Sequence, residues 1–239
     1  MDKDLEFLNG CTNEQLQLLA DCLVFSNGKK RLFETLSKKE NYTKYYPDTM
    51  QPIIPDIVDE LQRCGGNKIK NMFRGHGVTY KSLLTDVCKI QNVNFNKNNT
   101  VEQMEQYLLQ KVVAVSVEKM TDEDIKKISE DWDAKEIRRI VMAGGKLPIP
   151  LLIRATTVIM AGFFKKVGLK VALNVLTKIA SGRLLSILTG PLGWAASGVW
   201  MVYDLLGPSY KAAVPAVVTI SYYRFLNSLS VEERESALS

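Results

Sequence analysis

Residues 146–225 begin KLPIPLLIRATTVIMAGFF (146–164) and end KAAVPAVVTISYYRF (211–225). The stretch is apolar, rich in glycine and other small residues, and carries nine lysine or arginine residues against one acid, Asp204, a net charge of +8. The rest of the chain has 22 basic and 25 acidic residues, so the total charge of +5 combines two unlike parts. A stretch that is both basic and apolar predicts either a buried core or contact with a membrane or partner.

A lysine stripe marks the first distinct part of this stretch, a predicted amphipathic helix over residues 165–181. Aliphatic side chains occupy most of the surface of this helix and leave one polar stripe, the pattern of an amphipathic helix whose apolar side is packed. The stripe lies on the remaining face at multiples of four residues and consists of Lys166, Lys170 and Lys178. A basic amphipathic helix is typical of contact with an anionic membrane surface or an acidic partner helix.

A run without charged side chains, residues 184–203, follows this helix. It is 20 residues long, and a membrane-spanning helix needs about 20 apolar residues. Gly190-Pro191 divides the run into pieces that are too short to span singly. Trp194 and Trp200 lie toward one end, as interfacial anchors do, and Gly193 begins a small-x-x-x-small step that permits close helix contact.

Two interpretations of this run remain open. It is either a central helix of a bundle, apolar on all sides and covered by amphipathic helices, or a hairpin over residues 184–206 that is hidden in the folded protein and exposed later. The apolar segment at 212–223 contains Pro215 and raises the same choice.

Helical patterns run through the preceding part of the chain. Thr12 and Thr100 are each followed three residues later by glutamine, the capping-box pattern of a helix start. Arg31, Leu32, Phe33 and Leu36 predict the start of a short helix after the first one. Period-two alternation is not sustained over several strands. The sequence therefore predicts an all-α fold, a multi-helix bundle.

Changes in composition and breaks at glycine and proline divide the chain into four predicted segments. Charge and apolarity change together at Gly144-Gly145, where the second boundary falls. The segments are an N-terminal helical motif at 1–46, a middle helical domain at 47–145, an apolar basic helical region at 146–226 and a solvated acidic tail at 227–239.

Arg74-Gly75-His76-Gly77 is the most distinctive short motif. Its glycines permit a tight turn that could present an arginine and the single histidine to an anion. One histidine without a paired nucleophile is weak support for acid–base catalysis, and a local loop is the simpler interpretation.

Other chemistry is disfavoured by residue type and spacing. The four cysteines (Cys11, Cys22, Cys64 and Cys88) form no C-x-x-C pair and predict free thiols in a reducing compartment. The acids at 122–124 and 130–131 are typical of helix capping rather than of a calcium loop. A phosphate-binding loop is absent from the sequence. No catalytic residue, metal or cofactor is predicted.

Three blocks of the sequence resemble the bacterial YaaW family. They are LEFLNGCTNEQLQLLADCL (5–23), ELQRCGGNKIKNMFRGHGVTYKSLLTDVCK (60–89), and GPLGWAASG (190–198) with YKAAVPAVVTISYYR (210–224). The resemblance implies an all-α fold, with a short N-terminal motif of unknown function before a region related to the ubiquinol–cytochrome c chaperone domain. It supplies no established activity and no catalytic residues. It makes one motif the binding site to test: Gly65, Gly66, Arg74, Gly75, His76 and Gly77.

The sequence thus predicts a non-enzymatic helical interaction protein, chaperone-like by resemblance. Its partner is a protein client or an anionic membrane surface, contacted through residues 146–226, and nucleic acid is disfavoured. The predicted contact residues are Lys166, Lys170, Lys178, Gly190, Pro191, Gly193, Trp194 and Trp200. We expect a cytoplasmic protein, peripheral to the inner membrane. The alternatives are a membrane-permeabilising effector with a latent hairpin at 184–206, and an enzyme or anion-binding protein centred on Arg74 and His76.

Overall fold

The computed structural model describes residues 2–26, 28–65, 77–129, 132–166, 170–180, 184, 187–188, 206–207 and 209–238. The fold of these residues is all-α apart from one short hairpin, as the sequence predicts. The α-helices are α1 Asn13–Val24, α2 Glu40–Tyr45, α3 Ile54–Arg63, α4 Tyr80–Ile90, α5 Val101–Val117, α6 Asp122–Ser129, α7 Ala134–Met142, α8 Ile149–Lys166, α9 Lys170–Ile179, α10 Tyr210–Asn227 and α11 Val231–Leu238. Short 3-10 helices lie at Lys3–Gly10, Leu36–Lys38 and Gln51–Ile53.

Both predicted capping boxes are present. The Gln15 amide donates to the Thr12 hydroxyl at 3.3 Å, and the Thr12 amide donates back to the Gln15 side chain at 2.9 Å. Thr100 and Gln103 make the same pair of bonds at the start of α5. Each box provides acceptors for two backbone amides that the start of a helix would otherwise leave without a partner.

Helix α10 lies at the centre of the molecule. It packs against α1, α4 and α5, and the residues from Ala212 to Tyr223 are all buried. Thr219 and Ser221 donate their hydroxyl protons to backbone carbonyls four residues earlier, both at 2.8 Å, so these polar groups are satisfied inside the apolar helix. A helix that is apolar on all sides requires cover on all sides, which explains its position.

Helix α8 is the second buried helix of the C-terminal region. It packs against α5, α6, α9 and α11, and nearly all its residues from 151 to 164 are buried. The hydroxyls of Thr157 and Tyr222 meet at 2.6 Å and join α8 to α10. One continuous apolar core connects these two helices to the N-terminal helices. Within the described residues, no helix is both long enough and apolar enough to cross a membrane.

The acidic C-terminal tail forms α11. Its last residues, Ala237 and Leu238, are buried against α8. Arg154, the charged residue inside the apolar α8, donates to the backbone carbonyls of Ser236 and Ala237 at 2.9 and 3.2 Å. The tail is therefore packed onto the bundle, and its carbonyl groups supply partners for the arginine of α8.

The helix predicted to start at Arg31 is not formed, and that prediction is wrong. Strands β1 (Phe25–Ser26) and β2 (Lys29–Lys30) pair antiparallel, and Gly28 takes the positive φ of +70° that the reversal requires. The Arg31 amide then donates to the carbonyl of Val24 at 2.9 Å. This pairing directs residues 31–34 into a turn rather than a helix.

Asp21 is a buried carboxyl group on α1. It is 3% exposed and accepts a hydrogen bond of 2.9 Å from the Tyr46 hydroxyl. Burial raises its pKa to about 6, although the hydrogen bond from Tyr46 opposes the shift. The folded protein thus favours the neutral form of Asp21, because an ionised carboxylate is poorly solvated there.

We expect this carboxyl group to make the protein less stable as pH rises. The pKa in the folded state, about 6, exceeds the ordinary value of 3.8, so the stabilisation is complete below the ordinary value and is lost as pH rises through the folded value. The loss amounts to ~3 kcal/mol over the whole range and ~2 kcal/mol between pH 4.5 and pH 8. Urea unfolding of the wild type and of Asp21→Asn at pH 4.5 and pH 8 measures it, and the variant should lack this share of the pH dependence. Equal pH dependence in both proteins would contradict the assignment.

Candidate functional site

Two glycines of the predicted binding motif lie at the junction of α3 and α4. A Cβ atom on Gly77 would lie 2.4 Å from the backbone carbon of Gln62, and one on Gly65 would lie 2.5 Å from a methyl group of Val78. The Val78 amide donates to the Gln62 carbonyl at 3.2 Å. The chain therefore leaves α3 and enters α4 at the same place, and both glycines permit that close approach.

The other members of this motif lie outside the described residues: Gly66, Arg74, Gly75 and His76. The anion-binding and enzymatic hypotheses for Arg74 and His76 therefore stay predictions. Gly190, Pro191, Gly193, Trp194 and Trp200 also lie outside the described residues. The predicted hairpin at 184–206 is described only at four positions, of which Leu184 and Leu188 are buried.

The lysine stripe is divided between two helices that pack against each other. Lys166 ends α8, whereas Lys170 begins α9 and Lys178 lies in its last turn. Lys178 pairs with Glu14 of α1 at 2.5 Å, and its side chain is still 62% exposed. The structure does not describe the side chains of Lys166 and Lys170. Lys178 thus both ties α9 to α1 and contributes positive charge to the surface.

A buried polar cluster that the sequence analysis missed joins α4, α5 and α10. Glu105 is 2% exposed and accepts two hydrogen bonds, from the Tyr80 hydroxyl at 2.6 Å and from Nε of Arg224 at 2.7 Å. Burial raises the pKa of Glu105 to about 7, although Arg224 and Tyr80 both lower it. Both oxygens of the carboxylate have partners, the arrangement that a buried charge requires.

Arg224 also holds the N-terminal segment. Its Nη2 donates to the backbone carbonyl of Asp4, and its guanidinium group stacks over the Phe7 ring with the central carbon 4.2 Å from the ring centroid. Stacking and hydrogen bonding in the plane of the same guanidinium are compatible, because the donors point outward from its edge. Residues near the two ends of the chain are therefore joined through one side chain.

Asp2 fixes the same segment from the other side. Its Oδ2 accepts hydrogen bonds from the Tyr80 amide at 2.7 Å and from the Gln62 side chain at 2.9 Å. It therefore caps the start of α4 at the point where α3 and α4 meet. A carboxylate at a helix N-terminus is favoured by the exposed amides and the helix dipole.

A small pocket of about 90 Å³ opens beside this cluster, lined by Glu102, Glu105, Gln106, Ser221, Arg224, Phe225 and Ser228. A raised carboxyl pKa beside a pocket is one mark of an active site, but structural ion pairs shift pKa values equally well. Every polar contact named for Glu105 and Arg224 holds helices or the N-terminal segment together. We therefore assign the cluster a structural role.

The described cysteines show no sign of reactivity. All four are buried and none forms a disulfide, and burial raises the pKa of the Cys11 thiol to about 11 and of the Cys88 thiol to about 12. A buried thiol of high pKa is a poor nucleophile. Within the described ranges, no group of three or more histidine, cysteine or acidic side chains is placed to hold a metal ion.

Gly77, at the junction of α3 and α4, should tolerate no side chain. Gly77→Ala forces a methyl group against the backbone of Gln62, and we expect a loss of ~1–3 kcal/mol in the free energy of unfolding. Gly10→Ala is the matched control, because nothing lies within 4 Å of its Cβ position. Urea unfolding monitored by circular dichroism measures both. Equal stability of the two variants would show that the junction relaxes without cost.

Arg224 and Glu105 should behave as a coupled pair in a double-mutant cycle. Arg224→Met leaves a buried carboxylate without its cation, and we expect a loss of about 3 kcal/mol or more at pH 8, where Glu105 is ionised. Glu105→Gln with Arg224→Met should recover much of that loss, because no buried charge remains. Chemical unfolding of the four proteins gives the coupling, and additive losses would contradict a direct pair.

Comparison with known proteins gives the family. The N-terminal residues 1–32 match a family described as Domain of unknown function (DUF3944). A UPF0174 protein of Helicobacter pylori (strain J99) is 32% identical over 98% of this chain and 96% of its own length. The UPF0174 protein YaaW of Escherichia coli O157:H7 is 30% identical over 93% of this chain and 94% of its own length. No solved structure matches. The chain therefore belongs to the UPF0174 family, whose members include YaaW of Escherichia coli.

Proposed function

We propose that this protein is a non-enzymatic helical interaction protein that acts at an anionic membrane surface through the basic side chains of residues 146–226. One observation carries the proposal: lysines of this region are exposed while its apolar helices are buried. Lys146, Lys165 and Lys178 are exposed, whereas α8 and α10 lie in the core. The region therefore presents positive charge without giving up its apolar packing.

An anionic bilayer is a suitable partner for such a surface. The cytoplasmic leaflet carries a negative potential, and each lysine near it contributes about 1 kcal/mol of attraction. Three such side chains would give at most ~3 kcal/mol, roughly a hundredfold in partitioning, because Glu14 offsets part of the charge of Lys178. The attraction is electrostatic and weakens within a Debye length, so added salt should reduce it.

A second candidate is the binding of a hydrophobic protein client, which the resemblance to a chaperone-related family suggests. The observation in its favour is a pair of exposed apolar side chains, one just before this region and one at its start. Met142 is 80% exposed and Ile149 is 42% exposed. Exposed apolar patches mark partner-binding surfaces, and methionine is enriched in them.

Flotation of the full-length protein with lipid vesicles tests the membrane proposal. The protein should float with vesicles containing phosphatidylglycerol and remain unbound with pure phosphatidylcholine. Replacing three lysines by glutamine should weaken partitioning at least tenfold, because three attractive charges are lost. The test substitutions are Lys146→Gln, Lys165→Gln and Lys178→Gln.

A matched control removes the same number of charges from other exposed positions. The control substitutions are Lys97→Gln, Lys126→Gln and Lys135→Gln. We expect this variant to partition nearly as the wild type does. Equal loss in both variants would mean that only net charge matters, and no flotation of the wild type would overturn the proposal.

A further inference from the structure

An exposed turn near the N-terminus carries two large apolar side chains. Leu32 is 89% exposed and Phe33 is 71% exposed, the two central residues of the turn that follows strand β2. Turns at protein surfaces usually carry glycine, proline, asparagine, aspartate or serine at such positions. Leucine and phenylalanine side by side in solvent therefore point to something that covers them in use.

Arg31, the residue before the exposed pair, is held by hydrogen bonds to α1. The Arg31 amide donates to the carbonyl of Val24 at 2.9 Å, and its guanidinium group donates to the carbonyl of Leu23, also at 2.9 Å. Both acceptors belong to the last turn of α1, which is buried. The exposed pair therefore follows a residue that is fixed to the core.

Glu34 and Thr35, the residues after the exposed pair, are also held by hydrogen bonds. Glu34 is 4% exposed and accepts hydrogen bonds from the Ser37 amide at 2.9 Å and from the Ser37 hydroxyl at 2.6 Å. Thr35 donates from its amide and its hydroxyl to the buried Glu60 of α3, at 3.1 and 2.5 Å. The projection of Leu32 and Phe33 is thus built into the fold on both sides.

The charge around the turn is positive on its outer side. Lys29, Lys30 and Lys38 are exposed, and Lys30 also donates to the Ser37 hydroxyl at 3.3 Å. The acid next to the exposed pair, Glu34, points inward to Ser37. The surface presented to a partner is therefore basic and apolar together.

We propose that residues 29–33, here called the basic apolar tip, insert into an anionic lipid surface. Leu32 and Phe33 enter the headgroup and upper acyl region, and Lys29 and Lys30 contact lipid phosphates. The inference rests on the proposed membrane function but assigns it to a surface outside residues 146–226. The combination of an apolar wedge and flanking lysines matches the chemistry of interfacial binding.

A lipid surface fits this tip better than a protein partner does. A stable protein interface buries about 800 Å² on each side, which two side chains and a two-residue hairpin cannot supply. A bilayer needs no such area, because it accepts each apolar group independently and adds an electrostatic attraction for each lysine.

Two substitutions at the tip test the inference in the full-length protein. Leu32→Ser with Phe33→Ser should weaken partitioning to phosphatidylglycerol vesicles about tenfold or more, because apolar side chains no longer enter the bilayer. This loss should persist at high salt, unlike the loss caused by removing lysines. Val231→Ser is the control, because this exposed apolar side chain (64% exposed) lies elsewhere on the surface, in α11.

A spectroscopic readout shows insertion directly. All four native cysteines are buried, so a thiol placed at the tip by Leu32→Cys can be labelled selectively with an environment-sensitive fluorophore. Its emission should shift to the blue when phosphatidylglycerol vesicles are added. The same label placed by Asn98→Cys in an exposed loop should not shift.

The outcomes separate the two proposals. If the wild type partitions but the tip variant partitions equally and the label at position 32 does not shift, the tip inference is overturned and the lysine surface stands. If the tip variant alone loses binding, the inference is supported and the contribution of residues 146–226 is overturned. If the wild type does not bind anionic vesicles, both are overturned.

Discussion

The ion pair between Arg224 and Glu105 is the constraint around which the bundle is arranged. Helix α10 is buried along most of its length, so the arginine in its last turn needs a partner inside the protein. Glu105 of α5 supplies the charge, and the N-terminal segment supplies a backbone carbonyl and the Phe7 ring. Helices from the middle and the end of the chain are thereby fixed to its first residues. The N-terminal 3-10 helix and α1 are accordingly packed into the central core.

This arrangement bears on whether the basic apolar stretch, residues 146–226, is core or membrane segment. The sequence left open whether residues 146–226 form a core or enter a membrane. Where the structure describes them, α10 packs on α1 and α8 packs on α5 and α6. Arg154 holds α11, and Arg224 holds the N-terminal segment. The remaining exposed lysines sit at the surface of that core. A membrane contact by surface charge, helped by the tip at residues 29–33, therefore needs no unfolding of the bundle.

Local features were predictable, whereas long-range pairing was not. The capping boxes at Thr12 and Thr100 are set by neighbouring residues, so their patterns alone sufficed. Glu105 and Arg224 lie 119 residues apart, and only the packing of α5 against α10 brings them together. The helix predicted at Arg31 failed because its apolar spacing is also compatible with a turn, and the pairing of β1 with β2 decided between them. The glycine motif indicated a special backbone, and its described members, Gly65 and Gly77, serve close packing.

Amide hydrogen exchange of the full-length protein, with and without anionic vesicles, tests most directly whether the apolar C-terminal helices remain core. The account predicts that amides of α8 and α10 exchange only through global unfolding in both conditions, since these helices are buried on all sides. With vesicles present, residues 29–33 should gain protection while α10 is unchanged. Rapid exchange in α10 on vesicle addition would mean that the bundle opens and inserts its apolar helices, and would contradict the account.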